Sequence, residues 1–210
     1  KVYLFGMELN ANYDFLKTQI GYVPQDDIVH RQLTVDQSLY YAAKLRLPNA
    51  TNEFIHDKIN QVLKELNITH IRENLVGEIS GGQRKRVSIG VEILTDPMVL
   101  FLDEPTSPLD PQTIEEFLGI LRRLADKGTT VVMVTHKPDD LDFMDSVIFM
   151  AEGGHIAYHD GVDEFKDYFK VDKIRSVYGY LEQPNAKTWI DKYAKSRQSE
   201  TTGNNSPPVK

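Results

Sequence analysis

A chain of 210 residues with 40% apolar content is long enough for one α/β domain with a buried core and an appendage. Thirty-one acidic against 24 basic residues leave a net charge of −7, which argues against a nucleic-acid binder, and the absence of cysteine excludes disulfides and thiolate metal sites. No apolar run approaches the roughly 18–20 residues that a membrane-crossing helix needs, and no signal peptide is visible.

In chain order, Lys1–Phe5 reads as a strand, and because it opens on Lys rather than Met a fragment is expected. A polar stretch with Tyr13, Phe15 and Leu16 leads to a second strand, Ile20–Val23. Thr34–Leu47 is a helix with Thr34 or Asp36 as its cap and Pro48 as its stop. Thr51–Leu66 repeats the pattern, with Phe54, Ile55, Ile59, Val62, Leu63 and Leu66 expected on one face. Met98–Leu102 and Thr129–Val134 are β-rich runs with a helix from Pro111 to about Lys127 between them, the crossover unit of a parallel sheet. Ser146–Ala151 and His155–Tyr158 form a hairpin around Glu152-Gly153-Gly154, and the remainder of the chain is helical and polar. Trp189, Ile190 and Tyr193 fall at helical spacing and are expected to pack back onto the domain. From about Gln198 a Ser/Thr/Asn/Pro-rich tail is expected to be disordered.

Ligands of α/β proteins sit outside the carboxyl ends of the strands, and two runs end there in polar residues. Val99–Leu102 runs into Asp103 and Glu104, and two consecutive acids at a strand end are costly unless a cation or a proton transfer uses them. Two readings stand: both acids face a solvated loop, or the first holds Mg²⁺ and the second orients and deprotonates a water. The second run, Thr129–Val134, ends at Thr135 and His136, so His136 is either a polar residue at the sheet mouth or a contact to the same ligand. Asp110 before Pro111 is a complete helix N-cap by itself. His30, His56, His70, His155 and His159 lack metal-ligand spacing and are expected at the surface.

Ile79-Ser80-Gly81-Gly82-Gln83 opens a helix on two glycines, which present bare amides at the positive end of the helix dipole and suit a phosphate. Ser80 can cap the helix or donate to an anion, and Gln83 can reach past it. A solvated basic face is expected for at least two of Arg84, Lys85 and Arg86.

This segment resembles the signature motif of the ATP-binding cassette (ABC) family, usually Leu-Ser-Gly-Gly-Gln, with Ile79 in place of Leu. In family order, Tyr22–Asp27 resembles the Q-loop, Val99–Pro105 the Walker B motif, Ser107–Asp110 the D-loop, and Val134-Thr135-His136 the switch histidine. LTVDQSLYYAAKLRLP and SGGQRKRVSIGVEILTDP look most like the G, or white, group of pigment and sterol exporters and its bacterial relatives. The resemblance implies a P-loop NTPase-like α/β domain over about residues 1–169, with a helical subdomain at about 34–94, a helical appendage at 170–197 and a tail at 198–210. It implies ATP and Mg²⁺ as ligands. Gln25 would bind Mg²⁺ or the lytic water, Asp103 would hold Mg²⁺, Glu104 would be the general base, and His136 would contact the γ-phosphate. Ser80, Gly81, Gly82 and Gln83 would close over a nucleotide bound mainly by a second, head-to-tail nucleotide-binding domain, with Asp110 communicating across the interface. Transmembrane domains would be the other partner, nucleic acid none, and the cytoplasmic face of the plasma membrane the location. Two departures stand out. No G-x-x-x-x-G-K-[ST] loop occurs and no Gly-Lys pair at all, so the chain alone is expected to bind ATP poorly and hydrolyse none. Pro108 replaces the usual Gly and would stiffen the D-loop. A non-catalytic regulatory module and a soluble ABC ATPase are the alternatives, the first opposed by the intact Asp103, Glu104 and His136.

Overall fold

The computed structural model describes residues 1–107, 109–182 and 186–203, with side-chain environments to residue 197. They fall into two compact units, Lys1–His136 and Lys137–Lys210. Pro108, which bears on the expected stiffness of the D-loop, lies outside the described residues, as do residues 204–210 of the expected tail.

The first unit opens on a hairpin, β1 (Tyr3–Leu4) and β2 (Met7–Glu8), where one longer strand was expected. Phe5 and Gly6 both take positive φ, as a two-residue turn with right-handed strand twist requires. A short helix, α1 (Tyr13–Leu16), buries Leu16 and leads into β3 (Ile20–Val23). Helix α2 (Val35–Arg46) begins at Thr34, whose hydroxyl accepts from the Gln37 amide while the Gln37 side-chain oxygen accepts from the Thr34 amide. Helix α3 (Asn52–Glu65) is capped by Thr51 and buries Ile55, Ile59, Val62 and Leu63. Phe54, expected on that face, is 54% exposed. It precedes Ile55 by one residue, about 100° around the helix, and falls off the buried stripe. Helix α4 (Gly81–Ile93) is buried on almost every side, β4 (Val99–Asp103) comes next, and α5 (Pro111–Asp126) crosses over to β5 (Thr130–Val134).

The sheet is parallel, in the order β3-β4-β5, so the class is α/β as expected. Tyr22 pairs with Phe101, and Asp103 with Val134, which aligns the carboxyl ends of all three strands along one edge. Leu100, Leu102 and Val23 bury one face of this sheet, while Tyr22, Phe101, Val132 and Val134 are exposed.

The second unit holds an antiparallel hairpin, β6 (Ser146–Ala151) and β7 (His155–Gly161), and helices α6 (Phe165–Phe169), α7 (Arg175–Leu181) and α8 (Ala186–Gly203). Phe149, Tyr158, Phe165 and Phe169 form its core with Val177 and Leu181, and Trp189 and Ile190 pack against that cluster. Helix α8 runs on to Gly203 where disorder was expected from Gln198, since extending a formed helix through Ser and Thr costs far less than starting one. Among the described residues no helix is long and apolar enough to cross a membrane.

Candidate functional site

Glu104 comes directly after the last residue of β4, and its amide donates to Val134 O at 2.9 Å. Its φ is +40°, a left-handed value that a residue with a Cβ adopts at a cost of order 1–3 kcal/mol. The carboxylate lies between the ends of the two flanking strands. From beyond β3, Gln25 Nε2 donates to Glu104 Oε2 at 3.3 Å, and from beyond β5, His136 Nδ1 lies 3.2 Å from Glu104 Oε1. Side chains at the two ends of a 112-residue stretch, Gln25 and His136, therefore meet at the Glu104 carboxylate, because the parallel register brings their strand ends level.

Asp103 closes β4 beside them, half-buried, and among the described residues nothing pairs with its carboxylate. No group of three or more His, Asp or Glu among the described residues is arranged to hold a metal ion. Mg²⁺ does not need such a group, since it takes one or two carboxylates and fills its other positions with water and substrate phosphates. Asp103 fits as the single carboxylate, with the Gln25 carboxamide oxygen available while its nitrogen is on Glu104.

At the head of α4, Ser80 Oγ accepts from the Gln83 amide at 3.2 Å and Gln83 Oε1 accepts from the Ser80 amide at 3.0 Å. Gln83 thus folds back onto its own cap instead of reaching past it. The first amides of a helix have no intrahelical acceptor, and this cap leaves those of Gly81 and Gly82 unclaimed among the described residues. A Cβ on Gly81 would meet nothing within 4 Å, whereas one on Gly82 would lie 2.5 Å from Thr113 Cγ2. Thr113 in turn donates from its amide and hydroxyl to Asp110, at 3.1 and 2.5 Å. Those bonds, the hydroxyl's first, hold the Asp110 carboxyl below the usual aspartate range. Asp110 is therefore a cap, and through Thr113 it is also a neighbour of Gly82.

The basic residues after the glycines do not form a solvated face. Lys85 and Arg86 are buried, and Arg84 donates to the carbonyls of Val76 and Ile79. Arg86 pairs with Glu116 of α5 at 2.8 Å, and Lys85 Nζ reaches Asp27 and the carbonyls of Pro24 and Gln25. Both positions stand on the buried side with Ile89, three or four residues further along, and with Ile93 one turn beyond that. That spacing was readable in the sequence and outweighs the residue type.

Between the end of β3 and α2 opens a groove of about 270 Å³, lined by apolar groups of Tyr22, Pro24, Ile28, Tyr41 and Leu45. A parallel sheet with carboxylates, a carboxamide and an imidazole along its carboxyl edge is the arrangement at which α/β proteins take ligands, and a glycine-headed helix start is of the kind that accepts phosphate. The family assignment is narrower. Residues 1–107 match the model of the ABC transporter family. The chain is 46% identical over 154 residues to the ABC transporter ATP-binding/permease protein Rv1747 of Mycobacterium tuberculosis, covering 73% of this chain and 18% of that protein. It is 42% identical over 163 residues to ABC transporter G family member 28 of Arabidopsis thaliana, covering 73% of this chain and 14% of that one. To the broad substrate specificity ATP-binding cassette transporter ABCG2 of Rattus norvegicus it is 40% identical over 177 residues, 80% of this chain and 26% of the relative. This chain belongs to the ABC transporter family and, within it, to the nucleotide-binding domains of the G subfamily. It spans between 14 and 26% of the length of those relatives.

Proposed function

We propose that these residues form the hydrolytic edge and the signature end of a nucleotide-binding domain whose ATP hydrolysis powers export across a membrane. The observation that carries this reading is the meeting of Gln25 and His136 on the Glu104 carboxylate. Glu104 accepts the proton of the attacking water. Gln25 orients that water through its carboxamide, and His136 turns from Glu104 to the γ-phosphate as charge builds there. Asp103 holds Mg²⁺, which when bound offsets the charge of the β- and γ-phosphates. The open amides of Gly81 and Gly82, with the Ser80 hydroxyl, take the γ-phosphate of a nucleotide bound mainly by a second such domain, facing head to tail, while Gln83 holds that turn through its bond to the Ser80 amide. Asp110 adjoins the same interface. ATP then favours closure of the pair, and loss of the γ-phosphate lets the halves part.

The partners in this reading are the second nucleotide-binding domain and transmembrane domains, with no role for nucleic acid, at the cytoplasmic face of the plasma membrane. The groove by Tyr22, Ile28 and Tyr41 offers the membrane domains an apolar seat beside the Gln25 loop. Phosphate release by the full-length transporter tests the reading. Glu104→Gln and His136→Ala should each lower turnover by roughly 10²–10⁴-fold, the usual worth of a positioned proton-transfer group, with ATP binding retained. Turnover within a few-fold of the unaltered protein in both variants would refute it.

A further inference from the structure

Among the largest fully buried side chains of the chain is a charged one, Lys85, at 1% exposure. An apolar side chain would fill that space with no desolvation penalty, so the ammonium must be used by what surrounds it. Its three donors have three acceptors: Gln25 O at 2.8 Å, Asp27 Oδ1 at 3.0 Å and Pro24 O at 3.2 Å. One turn further along α4, the Ser88 hydroxyl donates to the same Asp27 oxygen at 3.0 Å. Two of the three acceptors are backbone carbonyls, those of Pro24 and of Gln25 itself. The ammonium therefore fixes the main chain of the residue whose carboxamide reaches Glu104, and Asp27 compensates the buried charge.

We infer that Lys85 is a positioning residue for hydrolysis: from the signature helix it pins the segment 24–27 so that Gln25 stays directed at Glu104. Helix α4 then joins two events with one rigid element, since its first turn carries Gly81 and Gly82 and its second carries Lys85. A phosphate seated on the first turn and a water oriented at Glu104 report to each other through a path about one helical turn long. This inference rests on the hydrolytic reading above.

The pair Lys85→Met/Asp27→Asn, made in the full-length transporter, separates positioning from mere charge burial. It removes both charges of the pair together but leaves the carbonyls of Pro24 and Gln25 without their donor. The expected result is a melting temperature close to the unaltered protein's, and amide hydrogen exchange of residues 24–28 at least tenfold faster. A kcat about 10–100-fold lower with KM for ATP nearly unchanged is expected from a displaced water-orienting group. Adding Gln25→Ala to the pair should lower kcat no further than Gln25→Ala alone, because both act through one group. Unchanged exchange at residues 24–28, or a kcat restored along with stability, would overturn the inference. The exchange readout does not depend on ATPase activity, so its outcome stands apart from that of the Glu104→Gln test.

Discussion

Glu104 and Gly82 are held in place by opposite kinds of constraint. Glu104 carries a side chain where the backbone turns left-handed, and neighbours from two other strand ends grip its carboxylate. A costly backbone angle persists where surrounding contacts determine it, which is the situation here. Gly82 lacks a side chain because Thr113 occupies the space. Gly82→Ala should therefore destabilise the domain by about 1–3 kcal/mol, the usual cost of overpacking. Thr113→Ser removes the clashing methyl and keeps the hydroxyl on Asp110, so the double variant should recover most of that loss in denaturant unfolding. Equal stability of Gly82→Ala with and without Thr113→Ser would mean that the clash is relieved elsewhere. At this scale the strand-end residues were legible in the sequence, because an apolar run that stops at acids or histidine marks its own end. The Thr113–Gly82 contact was not, as nothing local connects positions 31 residues apart.

Among the elements, α4 is the joint of the first unit. Lys85 ties it to the loop after β3, Arg86 to α5, and Glu92 to both the Tyr22 amide and Arg46 of α2. A helix buried on most of its sides takes its charges inward only where each finds a partner, and these partners lie 30 to 70 residues away. Reading the segment by residue type therefore pointed to a wet basic face, whereas the spacing of three or four residues to Ile89, continued one turn on at Ile93, pointed inward. Helix caps were legible, since Thr34, Thr51, Ser80 and Asp110 each bond an amide three residues ahead. In the second unit, β7 buries Tyr158, whose hydroxyl donates to Gly161 O at 2.8 Å. Burial first, and then the nearby charges of Asp160 and Glu164, push that phenol up to about 12 from 10.0. The unfolded chain ionises first, so the contribution of Tyr158 to stability is complete below pH 10 and declines as the pH rises towards 12. Absorbance titration should find Tyr158 among the last of the ten tyrosines to ionise, with Tyr168 and Tyr178, which burial also raises; in Tyr158→Phe the late step should lose one tyrosine's amplitude.

At the scale of the molecule, the parallel sheet is what turns scattered motifs into a site. Gln25, Glu104 and His136 lie just beyond β3, β4 and β5, and the crossover through α5 sets the last two strands side by side. The order of those motifs could be read directly, and so could the α/β class. The hairpin at residues 3–8 could not, because two-residue strands carry too little pattern to separate from a loop. The central claim is that Glu104 is the group that takes the proton of the attacking water. The most direct measurement is the identity of the nucleotide retained by full-length Glu104→Gln protein after incubation with ATP and Mg²⁺ and rapid gel filtration. The account predicts retained, unhydrolysed ATP, where the unaltered protein yields ADP. Retained ADP at the unaltered rate, or no retained nucleotide, would contradict it.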